Sequence, residues 1–106
     1  MPERRQWPRY QIDWPITIRG TDPSGARFTE SGRLRNISVK GALGNIGRFL
    51  GIGSQVEIFI RFPFARPQLM KYSGEVIRTE PDPAGINVAV QFHTTRPAFL
   101  DSEPQP

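Results

Sequence analysis

Hydrophobic and polar residues alternate with a period of two in several short stretches of the chain. The clearest stretch is residues 12–19, in which the apolar side chains take every second position: Ile12, Trp14, Ile16 and Ile18. Successive side chains of a β-strand point to opposite faces, so this pattern predicts a strand with one buried face. The apolar series also favours a core position for Trp14.

Five further stretches complete the predicted sheet. They cover residues 26–37, 42–43, 55–62, 69–79 and 86–93. Segments rich in Gly, Pro, Asp and Ser separate several of them and are typical of turns. Six short antiparallel strands favour a closed barrel, because closure removes exposed strand edges, and a sandwich is the alternative. The sequence therefore predicts an all-β, six-stranded antiparallel β-barrel.

Two connections are predicted as loops. Residues 44–53 contain four glycines and are expected to form a loop with one helical turn around residues 48–50. Residues 81–85, with two prolines, an aspartate and a glycine, are expected to form a hairpin loop. Within the second strand, Leu34 and Ile37 are separated by an odd number of positions, so the buried face must change between them. We predict a β-bulge near Asn36, since bulges often redirect side chains beside binding sites.

The length of 106 residues fits a single domain. Residues 1–11 show no core-like period, and Pro8 disfavours helical backbone at the residue before it, so we expect an extended, flexible basic arm. Residues 12–93 are expected to form the barrel. Residues 94–106 are expected to be mostly a loose tail, in which residues 98–100 could pack.

Composition excludes several kinds of site. The chain has no Cys and one His, so disulfides, a cysteine nucleophile and a multi-histidine metal site within one chain are excluded. His93 stands alone at a strand end, and no Ser-His-acid arrangement is visible, so we do not expect an enzyme. No apolar run approaches the roughly 18 residues of a membrane span, and no signal peptide is visible. We expect a cytoplasmic protein, or a domain of a larger one.

The net charge is +4, and twelve of the fourteen basic residues are Arg. Arginine can form two parallel hydrogen bonds to a phosphate or a guanine, although a genome rich in G and C would also raise the Arg content. In an extended arm, Arg5 and Arg9 would lie roughly 12–14 Å apart and point to the same side. Asn36 and Ser38 fall on one side of an extended chain, followed by Gly41, whose backbone can take positive φ or approach a flat ligand.

These two motifs resemble those of the PilZ domain family, over roughly residues 3–93. The family has an Arg-x-x-x-Arg motif in its N-terminal arm, matched by residues 5–9, and an Asp/Asn-x-Ser-x-x-Gly motif, matched by residues 36–41. Residues 74–78 and 88–92 resemble its last two strands. The short C-terminal segment departs from the many members that continue into a helix.

The resemblance implies a split barrel of the PilZ type that binds the bacterial second messenger cyclic di-GMP between arm and barrel. It implies no metal or organic cofactor. The implied ligand-binding residues are Arg5, Arg9, Asn36, Ser38 and Gly41, with Arg4 as an auxiliary cation. Arg35 and Arg78 would widen the basic surface, and Trp7 would stack on a purine or pin the arm to the barrel.

The expected function is that of a receptor or adaptor, whose ligand-induced change regulates a protein partner in motility, secretion or polysaccharide synthesis. One alternative is a family member that has lost the ligand and works through protein contacts only. Another is a small basic barrel that binds nucleic acid. The second alternative is disfavoured because exposed aromatic residues are scarce on the strands, with Phe59 and Tyr10 as the candidates.

Overall fold

The computed structural model describes residues 10–62 and 68–100, which form seven β-strands and no helix. The strands are β1 (Tyr10–Thr21), β2 (Arg27–Ile37), β3 (Gly41–Ile46), β4 (Gln55–Phe62), β5 (Gln68–Asp82), β6 (Gly85–Phe92) and β7 (Ala98–Leu100). Within those ranges no helix is long and apolar enough to cross a membrane. The prediction of an all-β chain is confirmed.

The first six strands close into an antiparallel barrel. Neighbouring strands follow the order β4-β1-β2-β3-β6-β5, and β5 pairs with β4 to complete the circle. The barrel, rather than the sandwich, is therefore the correct architecture. β7 pairs with the beginning of β5, where Leu69 lies opposite Leu100. β6 pairs with the rest of β5, from Gly74 onward. Residues 98–100 of the expected tail thus join the sheet.

The barrel interior is filled by the alternating apolar residues of all six strands. Its fully buried members include Ile18, Leu34, Ile60, Val76 and Val88. Trp14 is half-buried and packs against this core, as its place in the alternation predicts. The rings of Tyr72 and Phe92 stack in parallel, with centroids 4.0 Å apart and an interplanar angle of 7°. Burial raises the pKa of the Tyr72 hydroxyl.

Two predicted loops are shorter than expected. β3 continues through Gly44 and Asn45 to Ile46, because these residues pair with both β2 and β6, and residues 48–50 form no helical turn. Gly44 faces the core, where a Cβ atom would lie 2.8 Å from Cδ1 of Ile16. The turn between β5 and β6 has only two residues outside the strands, and Gly85, the first residue of β6, has a φ of 145°. Local composition suggested loops here, but pairing with distant strands overrides it.

One aromatic side chain is buried on the outer face of the barrel. Phe59 is only 2% exposed, and the guanidinium of Arg19 lies 5.1 Å from its ring centroid. Arg19 Nε also contacts Oε1 of Glu57 at 3.0 Å, and Lys71 Nζ contacts Oε2 of Glu57 at 3.2 Å. Phe59 is therefore not exposed for stacking on a base. The prediction that Phe59 is an exposed aromatic residue, made for the nucleic-acid alternative, was wrong.

The Glu57 ion pairs give a testable pH dependence. Burial alone would raise the pKa of Glu57, but hydrogen bonds from Arg19 and Lys71 outweigh it and lower that pKa below 4.5. A lowered folded-state pKa stabilises the fold above the unfolded value, and this contribution is lost as the pH falls through the folded value. We expect Glu57→Gln to lower the thermal midpoint by about 1–4 °C at pH 7, and by less at pH 3. Thermal unfolding followed by circular dichroism checks this, and an equal loss at both pH values would contradict it.

Candidate ligand-binding groove

The second motif lies at the turn between β2 and β3 and lines a groove on the outer surface of the barrel. The groove has a volume of about 220 Å³. From the motif it is lined by Asn36, Ser38 and Gly41, and Lys40 also lines it. The structure therefore brings together the three motif residues that the sequence identified, at the edge of one groove.

The predicted bulge is confirmed at this position. The pairing of β2 with β3 shifts register between Leu34 and Asn36. Leu34 is fully buried and Ile37 packs against the core, while Asn36 between them is half-buried and lines the groove. Within the described part of the chain, the Asn36 side chain makes no hydrogen bond. Its amide is therefore positioned to donate and accept hydrogen bonds in the groove.

Ser38 is held by the turn itself. Its backbone N–H donates to the carbonyl oxygen of Gly41 at 2.8 Å, and its Oγ accepts the N–H of Lys40 at 3.3 Å. The Lys40 carbonyl in turn accepts the N–H of Phe92 at 2.8 Å, which ties the turn to β6. The Oγ–H also donates to the carbonyl oxygen of Gly41 at 3.5 Å, so one acceptor lone pair of Ser38 stays available for a ligand.

Gly41 has a structural role that the sequence did not reveal. Its backbone is not in the left-handed region, which among the described glycines is occupied by Gly25, Gly53 and Gly85. Of the two roles considered for Gly41, a positive φ or a close approach of the backbone, the first is therefore not the one that the structure shows. A Cβ atom at Gly41 would lie 2.3 Å from the carbonyl oxygen of Val90. The residue is a glycine because β6 passes too close for any side chain.

The opposite wall of the groove comes from β5 and β6. A second register shift, between Val76 and Arg78, places Ile77 in a bulge, and both Ile77 and Arg78 line the groove with Gln91. Arg78 was expected only to widen the basic surface, and Arg35 does not line the groove. Sequence reasoning missed Ile77 and Gln91. The signal for Ile77 was present, because an apolar residue directly follows Val76 and interrupts the alternation.

The first motif lies outside the described residues, together with Arg4 and Trp7. The described chain begins at Tyr10, which pairs with Ile37, the residue between Asn36 and Ser38. The arginine-rich segment is therefore joined to the barrel beside the groove.

A second groove, of about 680 Å³, is lined by residues of β1, β2, β4 and β5. It contains none of the motif residues, but His93 lines it, and His93 Nε2 lies 2.9 Å from Oε1 of Gln55. In residues 10–62 and 68–100, no three His, Asp or Glu side chains are grouped so that they could hold a metal ion.

Comparison with known proteins identifies the family. A family model described as the PilZ domain matches residues 3–101. The fold is similar to that of the Bacillus subtilis inhibitor of motility MotI/DgrA, with a TM-score of 0.65 and 18% identity over 87% of this chain. The match covers 44% of that protein, so this chain spans less than half of its length.

A second similar structure is the PilZ domain of YcgR from Escherichia coli, determined with c-di-GMP. It has a TM-score of 0.54 and 16% identity, over 86% of this chain and 79% of that one. No curated protein sequence matches the chain significantly. At such identities the structural likeness establishes the fold alone, whereas the family match extends over nearly the whole chain. The chain belongs to the PilZ domain family.

Proposed function

We propose that the chain is a receptor for cyclic di-GMP, which binds in the groove between the arm and the barrel. The observation that carries the proposal is that Asn36, Ser38 and Gly41 line one groove, directly beside the point at which the arginine-rich arm joins β1. In this proposal residues 1–11, of which Tyr10 and Gln11 already pair with β2, are the arm, and residues 12–93 are the barrel that holds the ligand.

The chemistry of the groove fits such a ligand, which carries two phosphates and two guanines. Arg5 and Arg9 would fork onto phosphate oxygens or onto the O6 and N7 atoms of guanine, with Arg4 as an auxiliary cation. The Asn36 amide would bond to a guanine edge or a ribose, and the Ser38 hydroxyl to the same group. The backbone at Gly41, which carries no side chain, would let the base approach closely.

Ligand binding would act as a switch by ordering the arm on the barrel. Fixing the backbone of five residues costs on the order of 5–10 kcal/mol. Hydrogen bonds to charged groups contribute about 1.5–3 kcal/mol each, so several are needed to offset that cost. Both arginines and the barrel must therefore act together. The new surface would engage a protein partner, for which components of motility, secretion or polysaccharide synthesis are the candidates.

Calorimetric titration of the chain with cyclic di-GMP, with GTP as a control ligand, tests the proposal. We expect a dissociation constant of about 1 µM or tighter for cyclic di-GMP and no measurable binding of GTP. Asn36→Ala should weaken binding about 5- to 10-fold, because it removes one or two hydrogen bonds to the ligand. The matched control is Thr29→Ala, which removes an exposed polar side chain from the second groove and should leave binding unchanged.

Two outcomes would favour other functions. Absence of heat with cyclic di-GMP, together with arm resonances that do not change in NMR spectra, would favour a domain that works through protein contacts only. Salt-dependent binding of mixed oligonucleotides without a preference for cyclic di-GMP would favour a nucleic-acid-binding barrel.

A further inference from the structure

Next to the motif, the groove combines an apolar platform from β3, β5 and β6 with an arginine at its edge. Leu43 of β3 and Ala89 of β6 are directly opposite each other, and both line the groove. The bulge in β5 adds Ile77, a large apolar residue that is 48% exposed. Three neighbouring apolar side chains on the outer face of a barrel form a surface suited to a flat ring.

Arg78 is placed to reach over this platform. It pairs with Ala89 across the strands, and both residues line the groove. Arg78 Nε lies 3.2 Å from Oε1 of Glu80, and the Arg78 side chain is 62% exposed. Because this contact uses Nε, the two terminal nitrogens of Arg78 remain available for another acceptor pair.

We propose that Ile77 and Arg78 form a guanine-reading wall, which takes one base of the ligand flat on Ile77, Leu43 and Ala89 while Arg78 donates to its O6 and N7 atoms. This inference rests on the proposed function. In this arrangement the arm arginines bind mainly the phosphates, and Arg78 is the residue that selects the base. Two adjacent acceptors, O6 and N7, identify guanine, whereas adenine presents a donor amino group beside N7. Arg78 should therefore discriminate against adenine, because its donors would face that amino group.

The test compares cyclic di-GMP with cyclic di-AMP, which has the same phosphates and differs in its bases. Wild-type protein should bind cyclic di-GMP at least about tenfold more tightly. One bidentate pair accounts for roughly 5- to 150-fold discrimination, so Arg78→Ala should lower the affinity for cyclic di-GMP by about tenfold or more. The affinity of the Arg78→Ala variant for cyclic di-AMP should stay nearly constant, so its preference for cyclic di-GMP over cyclic di-AMP should be lost.

The matched control is Arg27→Ala, which removes an exposed arginine that does not line the groove and should preserve the preference. The Arg78 side chain is exposed, so its removal should leave the thermal midpoint unchanged. If Arg78→Ala weakens both dinucleotides equally, Arg78 contacts phosphate and the inference is overturned. If this variant binds cyclic di-GMP like wild type, the inference fails while the proposed function stands. If wild-type protein binds neither dinucleotide, both fail.

Discussion

The double variant Arg5→Ala/Arg9→Ala should lose at least about a hundredfold in affinity for cyclic di-GMP. Each arginine can supply a charge-assisted pair of hydrogen bonds, and such bonds contribute about 1.5–3 kcal/mol each. The loss of both therefore exceeds roughly 3 kcal/mol, which corresponds to more than a hundredfold in the dissociation constant. Calorimetric titration measures the loss. The thermal midpoint should stay the same, because the two substitutions remove charged side chains and no apolar ones.

The control for this experiment must remove the same charge elsewhere. Arg27→Ala/Arg96→Ala does so with two exposed arginines that do not line the proposed groove. We expect this variant to bind nearly as tightly as the wild type. Equal weakening in the two double variants would mean that overall positive charge, rather than the arm, attracts the ligand. Full binding by Arg5→Ala/Arg9→Ala would remove the arm from the site.

Gly41→Ala should destabilise the barrel by about 1–3 kcal/mol or more, even without ligand. The added methyl group would lie 2.3 Å from the carbonyl oxygen of Val90, which is a backbone atom and cannot move aside without shifting β6. The same shift would disturb the Ser38 turn, so ligand binding should weaken as well. Urea unfolding of the free protein measures the stability, and titration of the same sample measures the binding.

Gly47→Ala is the matched control for Gly41→Ala. A Cβ atom at Gly47 would meet no atom within 4 Å, and Gly47 is exposed, so its replacement should change stability by less than about 0.5 kcal/mol. The informative contrary result is a Gly41→Ala variant with wild-type stability that no longer binds. In that case Gly41 would be needed to make space for the ligand rather than for the backbone of β6.

The inward faces of the strands could be predicted from the sequence because burial follows the period of two. Ile16, Ile18 and Leu34 are buried as expected, and the odd spacing of Leu34 and Ile37 located the first bulge. β3 was predicted too short because Gly44 and Asn45 resemble loop residues. Asn45 in fact donates to the side chain of Asn87 in β6 at 2.9 Å. No local sequence pattern indicates this partner.

The groove could be predicted only on the side that a contiguous motif encodes. Asn36, Ser38 and Gly41 lie within six residues of one another, so their proximity was visible in the sequence. Ile77 and Arg78 reach the same groove because β3 lies beside β6 and β6 lies beside β5, an order that the chain does not follow. Residue types alone do not encode this non-sequential neighbourhood. The placement of the wall therefore required the structure.

The closure of the barrel between β1 and β4 has a kinetic consequence. Ile16 pairs with Ile60 and Thr21 with Gln55, so the first strand of the chain remains incomplete until more than thirty later residues have been brought back to it. Pairings between distant segments require loop-closure entropy before they return any contact energy. Local hairpins such as β1–β2 and β5–β6 can therefore form early, while the seam between β1 and β4 has to close late. We expect the rate-limiting step of folding to lie at this seam, on a timescale of milliseconds to seconds that is typical of all-β domains.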